Sequence, residues 1–447
     1  MSSSAVARRA RIIGLSSGVL LVTLAAWSEP LTVARIATLQ QVTSPVVSVP
    51  RSSLRPVDAA SSSAQSFSDN IPRLFSPLPR IRAEAFPVSE RILSMEQVQL
   101  SAEILGFSSF ILSVKGREFL AERIDSERHV SSEMFRYRIE GEELPSVFTK
   151  AYNGTVFGRI QAGGKGYFLS QEGDHYVVAL TRHVLPPEVL HYPWFSGPLQ
   201  LESVFGAAPS RRRRAVRSGP SPMLASIVIA ICSDYRDAVG GAEKAIARAT
   251  HMVDRLNSAY KASAFSGRIE IKEIAFVDPP KEVVAGDLHA WATDPEGPVA
   301  AIRRRNKAFG SMVLSKETRV AEATRTTPRP INPDFEVAVI AGFYADWDDS
   351  DILNALHEMG HIGGGDHNPE NSRNLPNDPE PFARDWYSCE DGLQGPLSQN
   401  VCDKWLDDVE MYSGLNSVYA GKVRGSPTQN NVGTFYRVFP FLTGDHD

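Results

Sequence analysis

The stretch His357-Glu358-Met359-Gly360-His361-Ile362-Gly363-Gly364-Gly365-Asp366-His367 places three imidazoles and a carboxylate at fixed spacing. On an α-helix, His357 and His361 stand four residues apart, about 40° apart around the axis and roughly 6 Å along it, so both rings leave the same face. Two rings so placed can grip one metal ion. Glu358 sits beside them, where a carboxylate takes a proton from water rather than binding the metal, the part it plays in zinc hydrolases. Gly364 and its glycine neighbours break the helix, because glycine enters left-handed conformations without steric cost. The break lets the chain swing His367 back as a third ligand. Three neutral histidines leave the fourth zinc position open, which separates a catalytic site from a closed structural one. A lone His on a helix face is usually an ordinary surface or core residue. Five fixed residues, each at ~5% usage, meet by chance in such a chain only on the order of once in 10⁴.

With these residues in view, the chain resembles the metzincin clan of zinc endopeptidases, whose signature H-E-x-x-H-x-x-G-x-x-H is matched by His357, Glu358, His361, Gly364 and His367. Gly360 inside the motif is most similar to the reprolysin (adamalysin and ADAM-like) branch. That branch usually carries Asp directly after the third His, and here the position is Asn368. Asp366 competes as a ligand by chemistry, and the spacing favours His367. The resemblance implies a methionine turn forming an apolar floor beneath the metal. Met411, the only Met after Met359, is the matching position. In some metzincins a Tyr two residues past that Met assists; here Tyr412 follows immediately, so the role is not carried over. The fold implied is an α/β (α+β) metzincin-like catalytic domain with a five-stranded mixed sheet and an active-site helix, preceded by a β-rich propeptide domain. One catalytic Zn2+ and protein or peptide substrates cut at internal bonds are implied with it. The sequence indicates no structural Ca2+.

Composition suits a folded, exported protein. The 447 residues are 42% hydrophobic and 22% charged with a formal net charge of -5, which gives no reason to expect nucleic-acid binding. Arg8, Arg9 and Arg11 precede an apolar run from Ile12 to Trp27, with Ala26 and Ser28 at small-residue positions before a plausible cut, the pattern of a secretory signal. A membrane span needs ~20 apolar residues, which this run falls short of, so cleavage is favoured over a retained signal anchor and no stable span is expected afterwards. Secretion to the extracellular space follows. The expected organisation is a signal peptide over 1–28, a leader of low order over 29–90, a β-rich propeptide domain over 91–210, a basic processing linker over 211–222 and the catalytic domain over 223–447. The β-rich reading rests on short runs such as Phe107 to Val114, Met134 to Ile139, Val156 to Ile160, Tyr167 to Ser170 and Tyr176 to Leu180, with turns at Asn153-Gly154 and Gly163-Gly164.

Arg211-Arg212-Arg213-Arg214 reads as a solvated basic linker by itself; placed between a β-rich segment and a new hydrophobic strand, it reads as a processing site for a basic-residue convertase. Asn153-Gly154-Thr155 is the single glycosylation sequon, with Asn153 as acceptor. Beyond it, Met223 to Cys232 reads as a central strand, Asp237 to Tyr260 as a helix, Arg268 to Val277 as a second strand, and Glu336 to Phe343 as a sheet-edge strand on which an extended substrate would be laid. Asp349 or Ser350 is expected to cap the helix that carries the histidines. Cys389 and Cys402 are near enough in sequence to close a disulfide in an oxidising compartment, leaving Cys232 as a buried thiol. Residues 29 to 210 contain no Cys, so no propeptide thiolate can hold the metal latent; Asp174, His175 and His191 are the candidates for that position. Two other classes fit the motif: an inactive, metal-stabilised binding protein, disfavoured because such a protein has no need of Glu358, and a zinc amidase acting on a non-protein amide.

Overall fold

The computed structural model describes residues 71–78, 92–129, 131–181, 188–191, 223–280, 288–316, 321–326, 333, 336–371, 382–399, 401–402 and 405–443. The signal segment and Arg211 to Arg214 lie outside the described residues. Residues 64–447 form one compact unit; 1–63 form another, outside the described residues.

Nine antiparallel strands build the N-terminal sheet: β1 (Phe75–Pro77), β2 (Ile92–Leu100), β3 (Ser109–Val114), β4 (Arg117–Arg128), β5 (Ser132–Ile139), β6 (Ser146–Ala151), β7 (Val156–Ala162), β8 (Lys165–Glu172) and β9 (His175–Thr181). Their order is β1-β2-β9-β8-β7-β6-β5-β4-β3. The two ends are drawn together, since the Leu74 N–H donates to the Ile111 carbonyl (2.9 Å) and the Ile111 N–H to the Pro72 carbonyl (2.8 Å), so the sheet curls nearly into a barrel. Residues two apart on a strand share a face. Phe135, Tyr137 and Ile139 of β5 therefore point together into the interior, where they meet Phe110, Phe148, Ile160 and Leu169. Gly163 and Gly164 close the β7–β8 hairpin with φ of +63° and +73°, both in the left-handed region that a two-residue type I′ turn demands. The leader was expected to lack order to residue 90; instead β1 lies within it, because pairing with β2 gives Phe75 an interior to enter.

The second sheet is mixed. It comprises β10 (Glu188–His191), β11 (Leu224–Ile231), β12 (Arg268–Phe276), β13 (Gly310–Leu314), β14 (Ala321–Thr324) and β15 (Val337–Ile340) in the order β10-β14-β15-β13-β11-β12. Five of its strands come from residues 223–447, and among these only β14 runs antiparallel to its neighbour. Its helices are α1 (Ser233–Ala238), α2 (Ala242–Ala262), α3 (Leu288–Ala292), α4 (Pro298–Asn306), α5 (Ser350–Ile362) and α6 (Asn431–Leu442). Three expectations need correction here. The single helix over 237–260 is two, broken at Gly240 and Gly241, whose φ of +91° and +120° no helix tolerates. The strand before the histidine helix, β15, is interior rather than an edge, paired with β13 on one side and β14 on the other. Beyond β14 lies β10, which comes from the segment assigned to the β-rich domain and pairs parallel to β14 in the register Glu188↔Ala321 to His191↔Thr324.

Helix α5 is pinned at its first turn. Arg248 of α2 holds Asp351 through Nε (2.9 Å) and Nη2 (2.6 Å), a two-pronged pairing that fixes orientation as well as charge, and Tyr235 of α1 donates to the same carboxylate at 2.5 Å. Asp349 occupies the N-cap position, yet its side chain makes no capping bond. It is drawn instead to guanidinium groups, with Arg255 Nη1 at 2.9 Å, and Asp348 takes the Ser350 N–H at 2.8 Å.

Candidate metal centre

The end of α5 explains the glycines. The Gly365 N–H donates to the Gly360 carbonyl (2.9 Å) and the Gly364 N–H to the His361 carbonyl (2.8 Å), the paired bonds of a Schellman stop with Gly364 in the left-handed position at φ +90°. A Cβ on Gly364 would also lie 2.7 Å from Val438 Cγ2 and 3.0 Å from the Thr326 carbonyl oxygen. Gly364→Ala is therefore expected to lower stability by about 2–3 kcal/mol through strain and crowding, readable as a drop in the urea midpoint; an unchanged midpoint would show the turn to be dispensable. Gly360 answers a different need, because a Cβ there would meet Tyr412 Cε1 at 2.9 Å and Leu397 Cδ1 at 3.0 Å.

The turn brings the histidines together. His357, His361 and His367, all buried, each offer one ring nitrogen within 4.8 Å of the others. His357 Nδ1 lies 2.8 Å from the Pro396 carbonyl and His361 Nδ1 2.9 Å from the Gly365 carbonyl. A carbonyl only accepts, so each Nδ1 carries the proton and each Nε2 keeps its lone pair for a metal, the arrangement that orients metal-binding histidines. His357 Nε2 and His367 Nε2 are 3.1 Å apart. A tetrahedral zinc with bonds of ~2.0–2.1 Å spaces its ligand atoms about 3.3 Å apart, so three histidine nitrogens fit zinc in chemistry and the His357–His367 pair fits it in separation. Glu358, next to His357 on α5, is buried as well. Asp366 is committed elsewhere: Arg384 and Arg325 sit 2.9 and 3.1 Å from its Oδ2, and its Oδ1 takes the His367 N–H at 2.8 Å.

Met411 is fully buried among Leu144, Trp386 and Val409, and its carbonyl accepts the Trp386 Nε1–H at 3.0 Å. Tyr412 is the neighbour that reaches α5, its hydroxyl donating to the Leu356 carbonyl at 2.6 Å. Cys389 and Cys402 form a disulfide, Cα to Cα 5.7 Å, and Cys232 is a buried free thiol. Asn153 is exposed at the β6–β7 turn, where its Nδ2 lies 3.2 Å from Glu243 of α2. Asn368 Oδ1 receives the Gln399 N–H at 3.0 Å, bracing the loop after His367. Neither Asp174 nor His175 joins the histidine cluster; His175 sits at the β8–β9 turn with Nε2 2.8 Å from Gln97. The His191 side chain lies outside what is described.

Sequence reasoning missed the supports. Pro396, Arg325 and Arg384 carry no motif that announces them. Asp385 ties the loops below α5 by accepting the Leu397 N–H (2.7 Å) and the Ser413 N–H (3.1 Å), and burial pushes its carboxyl up to about 7. α6 had a legible signal: Val432, Phe435, Val438, Phe439 and Leu442 recur at helical spacing after Asn430, whose side chain caps it by accepting the Gly433 N–H.

Thr326 joins the site to a second buried acid. Its N–H donates to the His361 carbonyl (3.1 Å) and its hydroxyl to Glu336, whose carboxyl burial pushes up to about 8. A carboxyl with a raised native pKa holds its proton while the unfolded chain releases one, so stability should fall as pH rises from about 4 to about 8, by up to ~1.4 kcal/mol per unit. Glu336→Gln removes that slope. Denaturation at pH 5 and pH 8 should show a smaller loss in the variant, and equal losses in both proteins would contradict the assignment.

No protein-family model matches the chain, and no curated protein matches it in sequence. Solved structures similar to it include a chaperone-substrate complex, at 11% identity and TM-score 0.38 over 68% of this chain and 41% of that one. Another is metalloproteinase-II from Bacteroides fragilis, at 10% identity and TM-score 0.37 over 74% of this chain and 90% of that one. The chain thus spans about two fifths of the length of the first of these. Among the described residues, no helix is long and apolar enough to cross a membrane.

Proposed function

We propose that the chain is a secreted zinc-dependent endopeptidase of the metzincin type, closest to the reprolysin branch, made as a precursor and cut at Arg211 to Arg214. The observation that carries this reading is the convergence of three buried imidazoles, two with their Nδ1 protons committed to carbonyls, beside a buried glutamate on one helix. Zinc held by His357, His361 and His367 supplies Lewis acidity toward a carbonyl oxygen and toward water. Glu358 accepts the proton of the attacking water at its carboxylate and returns it to the leaving amine. Asp366, neutralised by Arg325 and Arg384, steadies the His367 backbone without competing for the metal. The Cys389–Cys402 bridge suits an oxidising compartment.

An extended peptide would bind by adding a strand beside β14. That edge is taken by β10, from the segment before the basic linker, so β10 has to peel away from β14 before a substrate can be laid there, a local step that leaves the nine-stranded sheet in place. Digestion of a peptide library by purified protein, before and after linker scission and with and without a zinc chelator, tests the reading. Internal cuts that the chelator abolishes are expected. Bound metal with no cleavage of any peptide would favour a binding protein or an amidase of non-protein substrates.

A further inference from the structure

The face that residues 223–447 turn toward the β-rich sheet is built of buried charge. Asp349 and Glu410, both buried, share two buried guanidiniums. Arg255 of α2 supplies one, with Nη1 2.9 Å from Asp349 and Nε 3.2 Å from Glu410. Arg159 of β7 supplies the other, with Nη1 3.3 Å from Asp349 and Nε 3.1 Å from Glu410. Among the described residues two carboxylates and two guanidiniums meet here, and one of the guanidiniums belongs to the β-rich domain. Asp254 of α2 is also buried, and that domain reaches it twice: Thr149 donates to it at 2.5 Å, and His129 Nε2 lies 2.9 Å away. Phe157 and Phe168, from β7 and β8, belong to the same apolar cluster as Met252, Ile352 and Phe343, with the Arg248 guanidinium 5.8 and 5.2 Å from their ring centres.

A buried carboxylate stripped of its cation costs far more than an exposed one, because water does not replace the lost partner until the site opens. Cutting the linker removes none of these contacts, since Arg159, Thr149 and His129 all lie before it. We propose that scission of the linker leaves the β-rich domain bound to residues 223–447 as a non-covalent subunit, because it supplies buried counter-charge and apolar surface to the C-terminal part. The partner surface is this chain's own sheet, and the proposal does not depend on the peptidase reading.

The test replaces residues 211–217 with the recognition sequence of a site-specific protease, purifies the intact protein, cuts it and runs gel filtration at about 0.15 M and about 1 M salt, where exposed pairs are screened but buried ones are not. Both fragments should co-elute in equal amounts at both salt concentrations. Separation into two peaks at either would overturn the proposal. In Arg159→Met, cut only after purification, release of the N-terminal fragment should be at least ~10-fold faster, as loss of one member of a buried charge set implies. An unchanged release rate would remove the buried charges as its cause. If that variant fails to fold, co-elution of the cut parent protein still decides the main point. Neither readout involves hydrolysis, so failure here and failure of the enzymatic reading are distinguishable.

Discussion

Glu358→Gln should retain one zinc per chain and lose ~10²- to 10⁴-fold in peptide hydrolysis, the usual worth of a positioned proton acceptor. The amide keeps the shape of the side chain and leaves His357, His361 and His367 untouched, so metal content and rate should part company. Rate constants on an internally quenched peptide, with zinc measured on the same preparation, separate the two effects. Full activity would remove the base from the mechanism. Loss of zinc would mean that Glu358 holds the metal site together instead.

The largest expected loss of stability comes from Arg255→Met, at about 3–5 kcal/mol, the range for breaking a buried ion pair from one side. Arg255 is completely buried and contacts both Asp349, at the start of the histidine helix, and Glu410, directly before Met411. Its removal takes one guanidinium from both buried carboxylates, which Arg159 also contacts. Met fills comparable space, so the loss reads charge rather than cavity. Urea unfolding of the intact chain measures it, and a change below about 1 kcal/mol would mean that solvent reaches the cluster and screens it.

How much of this was legible in the sequence follows from the range of the forces involved. The histidine motif is local: a helical period and a glycine stop fix its geometry, so His357, His361 and His367 meet as their spacing implies. The runs over 134–139, 156–160 and 176–180 show the apolar character of half-buried strands, and each lies in a strand. β4 escaped notice because its residues Arg117 to Arg128 are dense in charge along a largely exposed face. β14, read from Ala321-Glu322-Ala323-Thr324, has too little bulk to announce a strand and is held by its neighbours. Placing β15 at the edge failed for the same reason, since nothing local to Val337–Ile340 tells which strand comes next. Asp349 was legible as an N-cap position but not as a partner of Arg159, which lies 190 residues away in sequence.

The central claim is that the three buried histidines hold one zinc, and metal analysis of the purified chain tests it most directly. One equivalent of zinc should survive dialysis in the parent protein and be absent from His361→Ala. A parent protein that holds no metal, or a His361→Ala variant that still holds one tightly bound zinc, would contradict it.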